Sequence, residues 1–203
     1  MTVVRDQDDP LVPPVVTLLF WMNVIALYLI VVVLAAAFYF EFARRELPCP
    51  LCLLQRAAFC AMGVGVMMNL KFGFSPRHYG VILLGACTGM IFAARQVLLH
   101  IVPGTGAYGS PVLGLHYYTW DAIVFGIAIA LCAFVLMFNR QFEQRHLRRL
   151  SFVPMLAIVL MLALTGANAV ATLLECGFQV CPDPPRDFQL LPPTLSIQPD
   201  QPS

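Results

Sequence analysis

Charge is scarce in this sequence. Only 11% of its 203 residues are Asp, Glu, Lys or Arg, against about 25% in an ordinary soluble domain, and the deficit excludes a soluble enzyme. A basic block is missing as well. Twelve basic residues against 11 acidic ones leave a formal charge of +1, so nothing stands ready to neutralise a run of phosphates and no nucleic-acid partner is expected. Glycine-rich phosphate loops, a nucleophile-elbow motif and internal repeats are also absent, so none of the chemistries those motifs serve is signalled.

What the chain has in excess is apolar surface, at 60% of residues. Five long, largely uncharged stretches, at about 15–40, 52–70, 79–100, 119–138 and 151–174, each match the roughly 20 residues that cross a hydrocarbon core about 30 Å thick. The first runs for 26 residues without a charge, too long for a signal-peptide apolar region and without a small-residue cleavage site, so it is expected to stay as a helix. The second carries Arg56 and the third Arg95, each near one end. The expected fold class is an all-α integral membrane protein of five transmembrane helices, with the lipid bilayer as its surroundings.

Basic residues favour the cytoplasmic side of a membrane. Arg5, Lys71, Arg77, Arg140, Arg145, Arg148 and Arg149 fall on one side of the five spans, against Arg44, Arg45 and Arg186 on the other. The N-terminus is therefore expected in the cytoplasm, with the loops at 41–50 and 101–118 and the C-terminal tail outside. The 101–118 loop, with Tyr108, Tyr117, Tyr118 and nearby Trp120, reads as an interfacial aromatic belt. The tail has seven prolines among its last 28 residues and reads as largely irregular.

Seven cysteines divide by depth. Cys60, Cys87 and Cys132 fall inside spans, where a lone cysteine packs as a small apolar side chain. Cys49 and Cys52 in CPLC, and Cys176 and Cys181 in CGFQVC, all fall on the expected outside, where thiols can be oxidised. As structural staples these pairs would do little, since a six-residue loop gives only about 2 kcal/mol. A CxxC pair next to a cation is instead suited to thiol–disulfide exchange. Arg56 lies four residues after Cys52, on the same face of a helix that begins near Pro50. A permanent cation one turn into a span calls for a partner or a ligand. The partner could be the Cys52 thiolate, a polar oxygen of a bound ligand, or both; snorkelling to the interface is the structural alternative.

The run Cys49-Pro50-Leu51-Cys52-Leu53-Leu54-Gln55-Arg56 resembles the CxxCxxxR signature of the disulfide bond formation protein B family, and the likeness extends to Ala94-Arg95-Gln96 and Gly114-Leu115. The resemblance covers roughly residues 15–140. It implies a four-helix-bundle core in the bacterial inner membrane that re-oxidises a periplasmic thioredoxin-fold dithiol oxidase (DsbA-like) and passes the electrons to the membrane quinone pool, ubiquinone or menaquinone. By the same resemblance Cys52 would contact the quinone ring, Cys49 would be its disulfide partner, and Arg56 would stabilise the thiolate and the reduced quinone. Gln96 and His100 would line the quinone site; a wet helix end is the alternative for these two. No metal ligand is expected.

One departure stands out. Family members carry a second cysteine pair in the loop between the third and fourth spans, and here that loop has none. A fifth span instead delivers Cys176 and Cys181 to the outer face, where they are expected to replace the loop pair as the shuttle to the soluble partner. The implied division is a cytoplasmic segment at 1–14, an oxidase core at 15–140, a cytoplasmic loop and fifth span at 141–174, and a periplasmic tail at 175–203. Two rival readings remain at this point: a thiol oxidoreductase of the vitamin K epoxide reductase-like type, and a membrane scaffold in which the four outer cysteines bind zinc.

Overall fold

The computed structural model describes residues 14–44, 46–102, 111–138, 142, 150–181 and 188–190. Tyr108, the segment 1–13, most of the loop at 139–149 and the tail beyond 190 lie outside the described residues. Five α-helices follow one another: α1 (Pro14–Ala43), α2 (Pro50–Phe72), α3 (Pro76–Leu99), α4 (Tyr117–Leu136) and α5 (Phe152–Cys176). All five are long and apolar enough to cross a membrane, because backbone groups in hydrocarbon must be satisfied within the helix. Each agrees with its expected span to within about three residues.

Local chemistry sets the helix ends. Pro50 and Pro76 occupy the first turns of α2 and α3, where the missing N–H is no loss and the fixed φ suits a helix. Cys49 caps α2, its sulfur accepting from the Cys52 N–H at 3.2 Å. Gly177 stops α5 at φ 62°, a left-handed conformation that costs glycine little.

Successive core helices pack side by side: α1 on α2, α2 on α3 and α3 on α4, while α5 returns past α4 to lie against α1 and α2. In a bilayer, helices associate through close van der Waals fit rather than hydrophobic expulsion, which favours small residues at the seam. The α2–α3 seam follows that rule. A Cβ on Gly85 would stand 3.0 Å from the Met62 nitrogen and 3.1 Å from the Ala58 oxygen, and one on Gly65 would stand 2.8 Å from the His78 oxygen. Gly89 leaves room for the Phe125 ring of α4, which also stacks on Phe59 of α2 at 4.4 Å.

A polar clasp ties the end of the bundle remote from the CxxC pair. Asn69 of α2 donates to Asn23 of α1 at 3.1 Å and faces His78 of α3 at 3.2 Å, while Asn23 reaches the Leu19 carbonyl at 2.8 Å. Such bonds between helices contribute about 0.6–2 kcal/mol each in a membrane.

The fourth side of the core is different. α1 and α4 have no extensive backbone contact; the Phe40 and Tyr117 rings meet at one end, 4.8 Å apart. The remaining space between these helices is a cavity of about 440 Å³.

The seam makes a direct prediction. Gly85→Val pushes a side chain into the α2 backbone and should cost about 1–3 kcal/mol through overpacking, read as a lower unfolding midpoint in detergent. Gly80→Ala, with nothing within 4 Å of its Cβ, should not lower that midpoint, since alanine favours the helix.

Candidate functional site

The cavity lies over the start of α2. Its walls include Val32, Ala36 and Phe40 of α1, Phe59 of α2, and Trp120 of α4, while Cys49, Cys52 and Arg56 supply reactive and charged groups. Cys49 and Cys52 are joined as a disulfide. Cys49 is buried and Cys52 half-buried. Both sit at the N-terminal end of α2, whose partial positive charge favours a thiolate over a thiol.

Gln96 of α3 lies behind the sulfurs and outside the cavity lining. It is fully buried, and its amide nitrogen donates to the Cys49 sulfur at 3.1 Å and towards the Cys52 sulfur at 3.5 Å. Gln55 fixes that direction by donating to the Gln96 amide oxygen at 2.7 Å. With its oxygen so occupied, Gln96 must turn its N–H groups to the sulfur pair, where they strengthen if a sulfur becomes anionic. His100 caps α3 and also stands outside the lining. Its Nδ1 is 2.8 Å from the Gln96 carbonyl oxygen and its ring stacks on Tyr118 at 5.5 Å.

Arg56 does not snorkel. It is buried and forms an ion pair with Glu41 of α1. A second nitrogen donates to the Ala37 carbonyl at 3.1 Å, and the guanidinium stands 5.5 Å from the centre of the Phe38 ring. One turn of α2 separates Arg56 from Cys52, so the cation occupies the same wall as the sulfur.

The acids around Arg56 are missing from the sequence reading, which weighed Lys and Arg and treated the fourth stretch as uncharged although it contains Asp121. Three are present: Glu41, Asp121 in the cavity wall and Glu175 near the end of α5. The field of Arg56 reaches both Asp121 and Glu175. Glu41 and Glu175 are 0% and 1% exposed, and each has one carboxylate oxygen without a hydrogen-bond partner. Acids at the ends of three apolar stretches were the available signal.

The second cysteine pair joins this end of the bundle. Cys176 ends α5 and is bonded to Cys181. Cys176 is buried, Cys181 half-buried, and Phe178 and Val180 between them are 92% exposed. The backbone nitrogens of Gln189 and Leu190 donate to the Glu175 and Leu174 carbonyls at 3.3 and 3.1 Å, and Phe188 stacks on Phe42 at 6.4 Å. The four sulfurs of these two pairs are thus bonded two by two. Cys60, Cys87 and Cys132 are free.

A tight turn forms one lip of the cavity. Val112 and Leu115 exchange backbone bonds at 2.9 and 3.1 Å around Leu113 and Gly114. Leu113 adopts φ 51° while 87% exposed, a left-handed conformation that costs a branched residue about 1–2 kcal/mol. The Trp120 indole anchors the turn by donating to the Val112 carbonyl at 3.0 Å.

Residues 20–108 match the family described as Disulfide bond formation protein DsbB. That stretch contains Cys49, Cys52, Arg56, Gln96 and His100 but neither α4 nor α5. Among curated proteins, the chain is similar to the Disulfide bond formation protein B of Marinobacter nauticus, 33% identical over 51% of this chain and 83% of the relative. It is 35% identical to Disulfide bond formation protein B 1 of Burkholderia lata, over 36% of this chain and 45% of the relative. The counterpart from Nitrosococcus oceani is 34% identical over 41% of this chain and 52% of its own length. No solved structure matches the chain.

The buried ion pair yields a stability test. Glu41→Leu strands Arg56 without its counter-ion and should cost about 3–5 kcal/mol, while Glu41→Leu combined with Arg56→Met should recover most of that loss. Unfolding of the purified variants in detergent measures both.

Proposed function

Because this chain belongs to the disulfide bond formation protein B family, the disulfide-forming thiol oxidoreductases of the bacterial inner membrane, we propose that it takes electrons from a soluble thioredoxin-fold dithiol oxidase and delivers them to a membrane quinone. The observation that carries this reading is the placement of the Cys49–Cys52 disulfide and Arg56 in one wall of an apolar cavity. The proposed orientation puts the cysteine end in the periplasm, on the side opposite most loop Lys and Arg residues.

A quinone suits the cavity's chemistry. Aliphatic and aromatic walls from α1, α2 and α4 would hold a flat apolar ring, and Arg56 and Tyr117 would meet its oxygens. A bound ubiquinone or menaquinone supplies an acceptor for two electrons and two protons. In this reading Cys52 faces it and Cys49 is the disulfide partner. Gln96 and the α2 N-terminus stabilise the Cys52 thiolate, and Gln55 orients Gln96. Gln96 therefore acts on the sulfurs from behind, and His100 holds the end of α3 through its contacts with the Gln96 carbonyl and Tyr118.

The outer pair is the proposed contact point for the soluble partner. A partner thiolate attacks the Cys176–Cys181 disulfide and leaves oxidised, and the reduced pair then exchanges with Cys49–Cys52. Support comes from the shared end of the bundle, where Glu175, adjacent to Cys176, lies within the field of Arg56. The exposed Phe178 and Val180 present the bridge to solvent.

In full-length purified protein, Cys176→Ser and Cys181→Ser should each bring ubiquinone reduction by a reduced protein dithiol down to background. Reduction by dithiothreitol, small enough to reach Cys49–Cys52 directly, should persist. Full activity of both variants with the protein dithiol would remove the outer pair from the relay.

A further inference from the structure

One charged group that a spanning helix brings to the cavity wall has no part in the relay described above. Asp121 lines the cavity near the start of α4 and, among the described residues, makes neither a hydrogen bond nor an ion pair, although it lies within the field of Arg56. Arg56 is itself committed to Glu41. A carboxyl group left without a bonded partner inside a transmembrane helix is costly, and such residues mark ion or proton pathways. Tyr117 precedes Asp121 by four residues, on the same face of α4. It also lines the cavity, and its hydroxyl is buried without a hydrogen-bond partner. Two polar groups of one helix face thus border an otherwise apolar space with bonding capacity unused, across from the sulfur and cation of α2.

Resting on the quinone reading, we propose that Asp121 is the proton donor to the acceptor oxygen when the Cys49–Cys52 dithiol is oxidised, with Tyr117 positioning that oxygen. The step balances. Two S–H bonds break, one S–S bond forms between Cys49 and Cys52, and the electron pair passes to the acceptor, where two O–H bonds form. Asp121 supplies one of the two protons and regains it from the dithiol, so nothing is drawn from the cytoplasm. Among the other lining groups, Arg56 does not give up its proton, and Glu46 stands in the loop after α1 rather than on a spanning helix. The remaining titratable and charged groups on the surrounding elements are Glu41 on α1, Arg95 and His100 on α3, Glu175 on α5 and Tyr118 on α4 itself.

The test uses full-length protein and ubiquinone-1. Asp121→Asn should leave ubiquinone-1 affinity close to wild type and slow single-turnover reduction by the pre-reduced protein by roughly 10²-fold, the scale of a lost general acid. Its residual rate should climb as pH falls, because bulk protons then substitute for the missing group. Independently of turnover, binding of ubiquinone-1 should shift a carboxylic C=O stretch in the infrared difference spectrum, and the shift should be absent in Asp121→Asn. Asp121→Glu, which keeps a transferable proton, should retain most of the rate. The assignment fails if Asp121→Asn matches wild type in rate and pH profile, if its loss is accounted for by weaker ubiquinone-1 binding, or if Asp121→Glu is as slow as Asp121→Asn. Wild-type protein that leaves ubiquinone-1 oxidised overturns the quinone reading itself, and this assignment with it.

Discussion

A guanidinium buried at the end of a membrane helix is the constraint around which this protein is arranged. An arginine at the centre of a spanning helix costs about 2.5–3.5 kcal/mol on insertion scales, and Arg56 recovers that cost only with partners in place. Glu41 neutralises it, the Ala37 carbonyl takes a second N–H, and the Phe38 ring offers its negative face. All three partners lie within five residues of α1, so the ion pair sets the register between α1 and α2. At the start of α2 that register brings Cys49 to where its sulfur caps the helix.

The two ends of the bundle carry different polar arrangements. At the end remote from the cysteines, Asn69 bonds Asn23 and His78, a clasp with no carboxylate among its members. At the cysteine end, the Arg56 cation lies near the Glu41, Asp121 and Glu175 carboxyl groups, and one oxygen each of Glu41 and Glu175 has no hydrogen-bond partner. Between the ends, contact is dry and close, through Gly65 and Gly85 on one seam and the Phe59–Phe125 stack on the other. Polar groups left unsatisfied in a protein interior are few and call for an explanation, a redox or catalytic role among them. Here they surround the Cys49–Cys52 pair, the site proposed to gain and lose electrons.

The five spans were legible in the sequence because length and apolar content alone determine what can cross a bilayer, and their bounds moved by only a few residues. The cysteine pairs and Arg56 were legible because their spacing carries chemistry. Glu41, Asp121 and Glu175 were not, because a single chain does not say which helix ends meet: these acids are far apart in sequence and gather only once α5 returns to α1 and α2. Gln96 shows a subtler limit. Its spacing from His100 placed both at the right end of α3, but rotation about a helix axis is decided by packing, and packing turned Gln96 to the back of the sulfurs rather than into the cavity. Arg56 was expected to face a thiolate or a ligand; its commitment to Glu41 depends on a side chain from another helix.

The incomplete seam between α1 and α4 also determines where a ligand comes from. Lining residues such as Val32 are exposed on the outer surface of the helices, the surface that lipid covers when these helices span a membrane, so the proposed entry is from the hydrocarbon phase. A molecule arriving there travels in two dimensions, and its driving concentration is its mole fraction in the lipid. Aqueous solubility then drops out of the binding equilibrium. Affinities compared between detergent and bilayer will differ by the partition coefficient alone, even when every contact inside the cavity is the same.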